Sequence, residues 1–169
     1  MVRGRVLLGA VLVAFVAFTA LALVAVFDPE SDDPPASVVT ANVSDLKNGR
    51  VLPIRVELPQ TALPPHRESG RARVFFVRLG GQVKAFLGVS THLGCALLVP
   101  GDPTYGHGFD EDPKDPRIED PCGGSTYALD GRCVGGPCPR DLDGYAVQLS
   151  GGTAQIDLRR LIAGDPKTF

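Results

Sequence analysis

Beyond Phe27 the apolar residues of this chain come in short β-branched or alternating runs, and no later segment holds a helical 3.6-residue period for long. The runs are Val51 to Leu58, Val74 to Leu79, Val83 to Val89, Tyr145 to Leu149 and Thr153 to Leu158. Turn residues punctuate them at Gly49-Arg50, Gly80-Gly81, Asp130-Gly131, Gly135-Gly136 and Gly151-Gly152. With 20 glycines and 15 prolines in 169 residues, the pattern predicts an all-β fold, an antiparallel sandwich or small barrel. Gly80-Gly81, set between Val74-Phe75-Phe76-Val77-Arg78-Leu79 and Val83-Lys84-Ala85-Phe86, marks the clearest hairpin. No internal repeat is visible.

The N-terminus differs in kind. Val6 to Phe27 is built from Val, Leu, Ala and Phe, with Gly9 and Thr19 the weakly polar exceptions. As a helix rising about 1.5 Å per residue it is long enough to cross a bilayer core. Arg3 and Arg5 precede it and the first acid is Asp28, which predicts a cytoplasmic N-terminus and an exported globular part on a single-pass anchor. A cleaved signal peptide with Ala20-Leu21-Ala22 at its end is the other reading, but the run exceeds the roughly 7–15 residues of a signal's apolar region. The acidic, proline-rich Asp28-Pro29-Glu30-Ser31-Asp32-Asp33-Pro34-Pro35 reads as a solvated tether. The expected division is an anchor over 1–27, a tether over 28–37 and a β domain over 38–169.

Export makes disulfides the first expectation for four cysteines. Cys95, Cys122, Cys133 and Cys138 allow three pairings, which arithmetic leaves open, although Cys133 and Cys138 are near enough for a local closure. The formal net charge is −2, and setting aside Arg3 and Arg5 leaves about −4 on the rest, with no basic face for nucleic acid. Ser90, His92 and Asp120 include the residue types of a hydrolytic triad, yet no nucleophile elbow surrounds the serine. No phosphate-binding loop is present.

The stretches that carry chemistry are Ser90-Thr91-His92-Leu93-Gly94-Cys95 and Asp120-Pro121-Cys122-Gly123-Gly124-Ser125, followed by Thr126-Tyr127-Ala128-Leu129-Asp130-Gly131 and Val134-Gly135-Gly136-Pro137-Cys138-Pro139-Arg140. Together they resemble the Rieske iron–sulfur proteins of the membrane-anchored type found in quinol:cytochrome oxidoreductases. In that family the two loops read C-T-H-L-G-C and C-P-C-H-G-S; two cysteines hold one iron of a [2Fe–2S] cluster and two histidines the other. The resemblance implies a disulfide between the inner cysteines, here Cys95 and Cys122. It places Ser125 and Tyr127 where the family hydrogen-bonds cluster and ligand sulfurs, and Val134 to Arg140 where a proline loop covers the cluster. Leu142, Tyr145, Val147, Leu149, Gly151-Gly152 and Ile156-Asp157 resemble its closing hairpin. The implied partners are membrane subunits of a cytochrome b-type complex, together with the lipid bilayer.

The departures fall on the ligands themselves. Ser90 and Asp120 stand at the two cysteine-ligand positions and Gly123 at the second histidine, so His92 alone is retained of the four. Neutral serine oxygen, hard aspartate and a glycine without a side chain replace the donors that such clusters favour. The expectation is therefore a structural subunit with no cofactor; the alternative is an electron carrier that holds a [2Fe–2S] or other metal centre through His92 and unusual ligands, with Cys138 the nearest substitute thiol. An insertion at about 99–119 separates the loops, and 26 residues lie between Cys95 and Cys122. Asp110, Asp112 and Asp115 could offer oxygens to calcium, and His92, His107 and Asp120 a mixed set to zinc or iron, but the acids lack the 12-residue calcium-loop pattern. They read as a solvated insertion. Cys133 and Cys138 are additions to the family pattern, expected to staple the proline loop rather than to act as a redox pair.

Overall fold

In the computed structural model the described residues are 37–59, 70–103, 105 and 114–167. The expected anchor, nearly all of the tether, and much of the insertion, including His107, Asp110 and Asp112, lie outside them. No described helix is long and apolar enough to cross a membrane.

Among the described residues eleven strands run β1 (Val38–Asn42), β2 (Val51–Glu57), β3 (Arg71–Leu79), β4 (Gln82–Leu87), β5 (Arg117–Glu119), β6 (Thr126–Ala128), β7 (Cys133–Gly135), β8 (Gly144–Tyr145), β9 (Gln148–Ser150), β10 (Thr153–Asp157) and β11 (Leu161–Ile162). They form three antiparallel sheets, ordered β1-β10-β9, β11-β8-β4-β3-β2 and β5-β6-β7. Two hairpins carry the glycine pairs expected of them. Leu79 pairs with Gln82 across Gly80-Gly81, and Ser150 with Thr153 across Gly151-Gly152. All four glycines have φ between 55° and 83°, where a two-residue turn matching strand twist needs them.

Strand β3 is the structural axis. Its Val74-Phe75-Phe76-Val77 is wholly buried, and successive side chains enter opposite cores. Val74 and Phe76 join Val56, Leu87, Tyr145, Ile156 and Leu158 between the five-stranded sheet and the β1-β10-β9 sheet. Phe75 and Val77 join Phe86, Leu97, Val99, Ile118, Tyr127 and Leu142 on the other face. A strand covered on both faces reads as an unbroken apolar run rather than an alternation. Each such side chain contributes about 1.5–3 kcal/mol by leaving water, so β3 fastens the β5-β6-β7 layer to the rest.

Two expectations need correction. Tyr145 to Leu149 is not one strand: Tyr145 pairs with Ala85 and Leu161 in one sheet, whereas Leu149 pairs with Ala154 in another. The chain changes sheets between them, leaving Tyr145 buried and Leu149 53% exposed. Strand β4 ends at Leu87: Gly88 still donates to the Arg73 carbonyl at 2.8 Å, in register with β3, but Val89 already bridges Ala96 as the chain bends into the first loop.

Candidate functional site

The two loops are copies of one backbone shape. In the first, the Ser90 N–H donates to the Cys95 carbonyl at 2.8 Å and the Gly94 N–H to the Ser90 carbonyl at 3.1 Å. In the second, Asp120 donates to Ser125 at 2.9 Å and Gly124 to Asp120 at 3.0 Å. Each loop therefore closes on itself with the same offsets, and the fifth residue, Gly94 or Gly124, takes φ near 70°. That conformation strains any residue with a Cβ, which is why both loops spend a glycine there. Leu98 and Glu119 exchange backbone hydrogen bonds of 2.8 and 2.9 Å beneath them, and the Cys95–Cys122 disulfide clamps them above.

Between the loops sits a hydrogen-bonded pair. The Ser90 hydroxyl donates to Asp120 Oδ2 at 2.6 Å, with both residues buried. Asp120 Oδ1 accepts the N–H groups of Cys122 and Gly123, each at 3.0 Å. Three donors thus converge on one fully buried carboxylate, satisfying a group that is costly to bury alone. The Ser90 oxygen in turn accepts the His92 N–H at 3.3 Å.

Tyr127, without exposure, extends the network. Its hydroxyl accepts the Thr91 N–H at 3.2 Å and lies 2.9 Å from Thr91 Oγ1 and 3.5 Å from Ser90 Oγ. Thr91 Oγ1 donates to the Arg140 carbonyl at 2.9 Å, so the proton between Thr91 and Tyr127 comes from the tyrosine. Ser125 Oγ is buried with no hydrogen-bond partner among the described residues.

The third wall is the expected proline loop. Cys133 and Cys138 are disulfide-bonded across it, and Cys138 is buried, so it has no thiolate to offer a metal. Gly136 has φ of 73°, and a Cβ there would lie 2.2 Å from the Gly124 carbonyl oxygen. Backbone packs directly on backbone, fixing this loop against the second one. Arg140 closes the segment with a two-point ion pair to Asp143, at 3.1 and 2.6 Å.

Sequence places Ser90, His92, Asp120, Gly123, Ser125, Tyr127, Cys95 and Cys122 in one site, and all lie on these two loops or the strand leaving them. A [2Fe–2S] cluster of this family asks for two thiolates and two imidazoles. Here Ser90 and Asp120 hold each other, and both sulfurs of Cys95 and Cys122 are in a disulfide. A Cβ added to Gly123 would lie 2.6 Å from Asp120 Oδ2 and 2.8 Å from His92 Nδ1, so these two groups occupy the space of a second histidine. Exposed His92 is the one donor of the expected set. The residues present do not fit that cluster.

Residues 36–146 match the Rieske [2Fe-2S] domain. The chain belongs to the Rieske family. It is 30% identical over 86 residues to the cytochrome b6-f complex iron-sulfur subunit of Chlorobaculum tepidum, a stretch that is 51% of this chain and 41% of that relative's length. Among solved structures it is similar to one from a hyperthermophilic respiratory Complex III, at 25% identity and a TM-score of 0.46, covering 87% of this chain and 96% of that one. It is also similar to the ferredoxin of carbazole 1,9a-dioxygenase from Nocardioides aromaticivorans, at 19% identity and a TM-score of 0.42, covering 74% of this chain and 98% of that one.

Two supports of this Rieske site escape a reading of the sequence. Thr91 links the first loop to Tyr127 and to the proline loop, though nothing in its spacing separates it from a solvent threonine. Arg73 on β3 grips Asp102 at 2.8 and 3.0 Å, donates to the Leu97 carbonyl and lies over the Phe75 ring at 5.2 Å. It braces the chain leaving the first loop from a strand distant in sequence. Asp115, weighed as a calcium ligand, instead pairs with Arg117.

Proposed function

We propose that this chain is a membrane-anchored Rieske-fold subunit of a quinol-oxidising electron-transfer complex, in which it docks and stabilises rather than carries electrons. The observation that carries this reading is the 2.6 Å hydrogen bond from Ser90 to Asp120, which joins the two cysteine-ligand positions to each other with a proton where the family joins them with an iron. The anchor over residues 1–27, the exported position of the domain and the cytochrome b-type partner belong to this proposal. Family membership and the likeness to a cytochrome b6-f subunit support them.

In this reading the rigid frame is what is retained. Two self-closed loops, two disulfides and the Thr91–Tyr127–Arg140 chain hold one end of the domain in a fixed shape for a partner surface, as a preorganised interface requires. The test is made in membranes that contain the complex. Deleting the chain is expected to lower the amount of assembled complex, whereas His92→Ala is expected to leave quinol oxidation within about twofold of the parent, a change of only about 0.4 kcal/mol in barrier. Loss of quinol oxidation in His92→Ala at normal assembly would overturn it, because an exposed imidazole matters that much only if it takes part in the electron or proton transfer.

A further inference from the structure

The disulfide clamp is itself one step from a metal site. The Cys95 and Cys122 sulfurs and a carboxylate oxygen of Asp120 all lie within 4.8 Å of one another. A zinc ion with bonds of about 2.3 Å to sulfur and about 2.0–2.2 Å to oxygen needs its ligand atoms at spacings of that order. We propose that reduction of Cys95–Cys122 converts the clamp into a zinc site, with both cysteine thiolates and Asp120 as ligands and His92 closing the fourth position. This goes beyond the docking role and does not depend on it.

Four observations favour it. Asp120 Oδ2 accepts one hydrogen bond, from Ser90, and keeps a second lone pair for a metal. The hydrogen bonds from Ser90, Cys122 and Gly123 fix the carboxylate in place, which is how outer-shell partners orient a ligand. His92 lies outside that 4.8 Å set, but its Nδ1 and Asp120 Oδ2 both border the position of a Gly123 Cβ, at 2.8 and 2.6 Å, and its exposure leaves the imidazole free to turn toward the sulfurs. Cys122 is exposed, so a reductant and an ion can both reach the bond. Two soft sulfurs with one imidazole and one carboxylate make a donor set that suits zinc, and zinc brings no redox chemistry of its own.

The step balances simply. A dithiol donates two electrons and two protons to the disulfide and leaves as a disulfide itself; the two cysteine thiols then release their protons as zinc binds. The clamp between the loops is thereby exchanged, sulfur–sulfur bond for sulfur–zinc–sulfur bridge, so the loops stay joined in both states.

The experiment uses the full chain carrying Cys133→Ser and Cys138→Ser, which removes the other pair as a source of thiols. The oxidised protein, and the protein reduced with a phosphine that does not itself hold zinc, are each titrated with zinc against a chromophoric chelator, then with cobalt as a spectroscopic probe. The expected result is one zinc per chain after reduction and none before, with a cobalt spectrum showing sulfur-to-metal charge transfer. Ser90→Ala is expected to weaken zinc binding about 10–100-fold through the freed carboxylate, the usual scale for such partners. If reduction unfolds the protein, zinc is expected to restore its near-ultraviolet circular dichroism. No zinc uptake by the reduced protein, folded or not, would overturn the proposal, as would uptake that Asp120→Asn and His92→Ala both leave unchanged.

Discussion

Breaking the Ser90–Asp120 pair tests how firmly this buried hydrogen bond joins the two loops. A buried hydrogen bond to a charged group is worth about 1.5–3 kcal/mol net, and a buried acceptor left unmatched costs on the same scale. Asp120 receives three such bonds, one at 2.6 Å and two at 3.0 Å. Replacing it by Ala is therefore expected to cost about 3–5 kcal/mol, a large part of the roughly 5–15 kcal/mol that a domain has in total. Asn is the informative change, since its carbonyl keeps both backbone N–H groups and its amide meets a hydroxyl able to turn and accept. Asp120→Asn is expected to cost about 1 kcal/mol and Ser90→Ala about 2 kcal/mol. Urea unfolding of the parent, both single variants and the double variant gives a coupling energy, expected at about 1 kcal/mol or more for groups in direct contact. A coupling within about 0.3 kcal/mol of zero would refute the pair as a structural bond.

Four further outcomes follow from the same structure. Chain-entropy arithmetic for a sequence separation of 27 gives about 3.5 kcal/mol for Cys95–Cys122, against about 2 kcal/mol for the separation of 5 in Cys133–Cys138, so Cys95→Ala is expected to lower the urea midpoint more than Cys133→Ala. Burial raises the Asp102 carboxyl, but the Arg73 guanidinium and the Val99 N–H together hold it below its ordinary 3.8. Its stabilising effect is full above that value and lost as pH falls through the lower folded one, so stability below pH of about 4 is expected to fall less steeply in Asp102→Asn than in the parent. Tyr145 has a buried hydroxyl with no hydrogen-bond partner among the described residues, and burial followed by Asp143 pushes its pKa up; Tyr145→Phe is expected to leave Tm unchanged or raise it. Gly131 has φ of 94°, and a Cβ there would lie 2.5 Å from the Phe86 ring, so Gly131→Ala is expected to cost more than about 1 kcal/mol in the same unfolding assay.

The sequence made the all-β fold and the loop pair legible for different reasons. Val74-Phe75-Phe76-Val77 and the two glycine-pair hairpins announce themselves because an apolar run and a two-residue turn are local patterns. Strand β1 stayed hidden because Val38 is 43% exposed and the strand exists through its five-residue pairing with β10, a partner more than a hundred positions away. Strands β5, β6 and β7 have three residues each, too few to display a period. At the site, residue types showed where this sequence departs from the family's loop pattern, because cysteine and histidine have few substitutes in metal chemistry. What the replacements do instead was not legible: that Ser90 and Asp120 bond each other, and that His92 and Asp120 fill the space beside Gly123, depends on side-chain placement within folded loops.

We propose that the Rieske frame of this chain is held by protein groups rather than by an iron–sulfur cluster. The most direct measurement is iron and sulfide content with visible and low-temperature EPR spectra of the full chain, as isolated and after anaerobic reconstitution. No iron above background, no visible absorption band and no EPR signal in either preparation is the predicted result. Two irons per chain with a Rieske-type signal would contradict it.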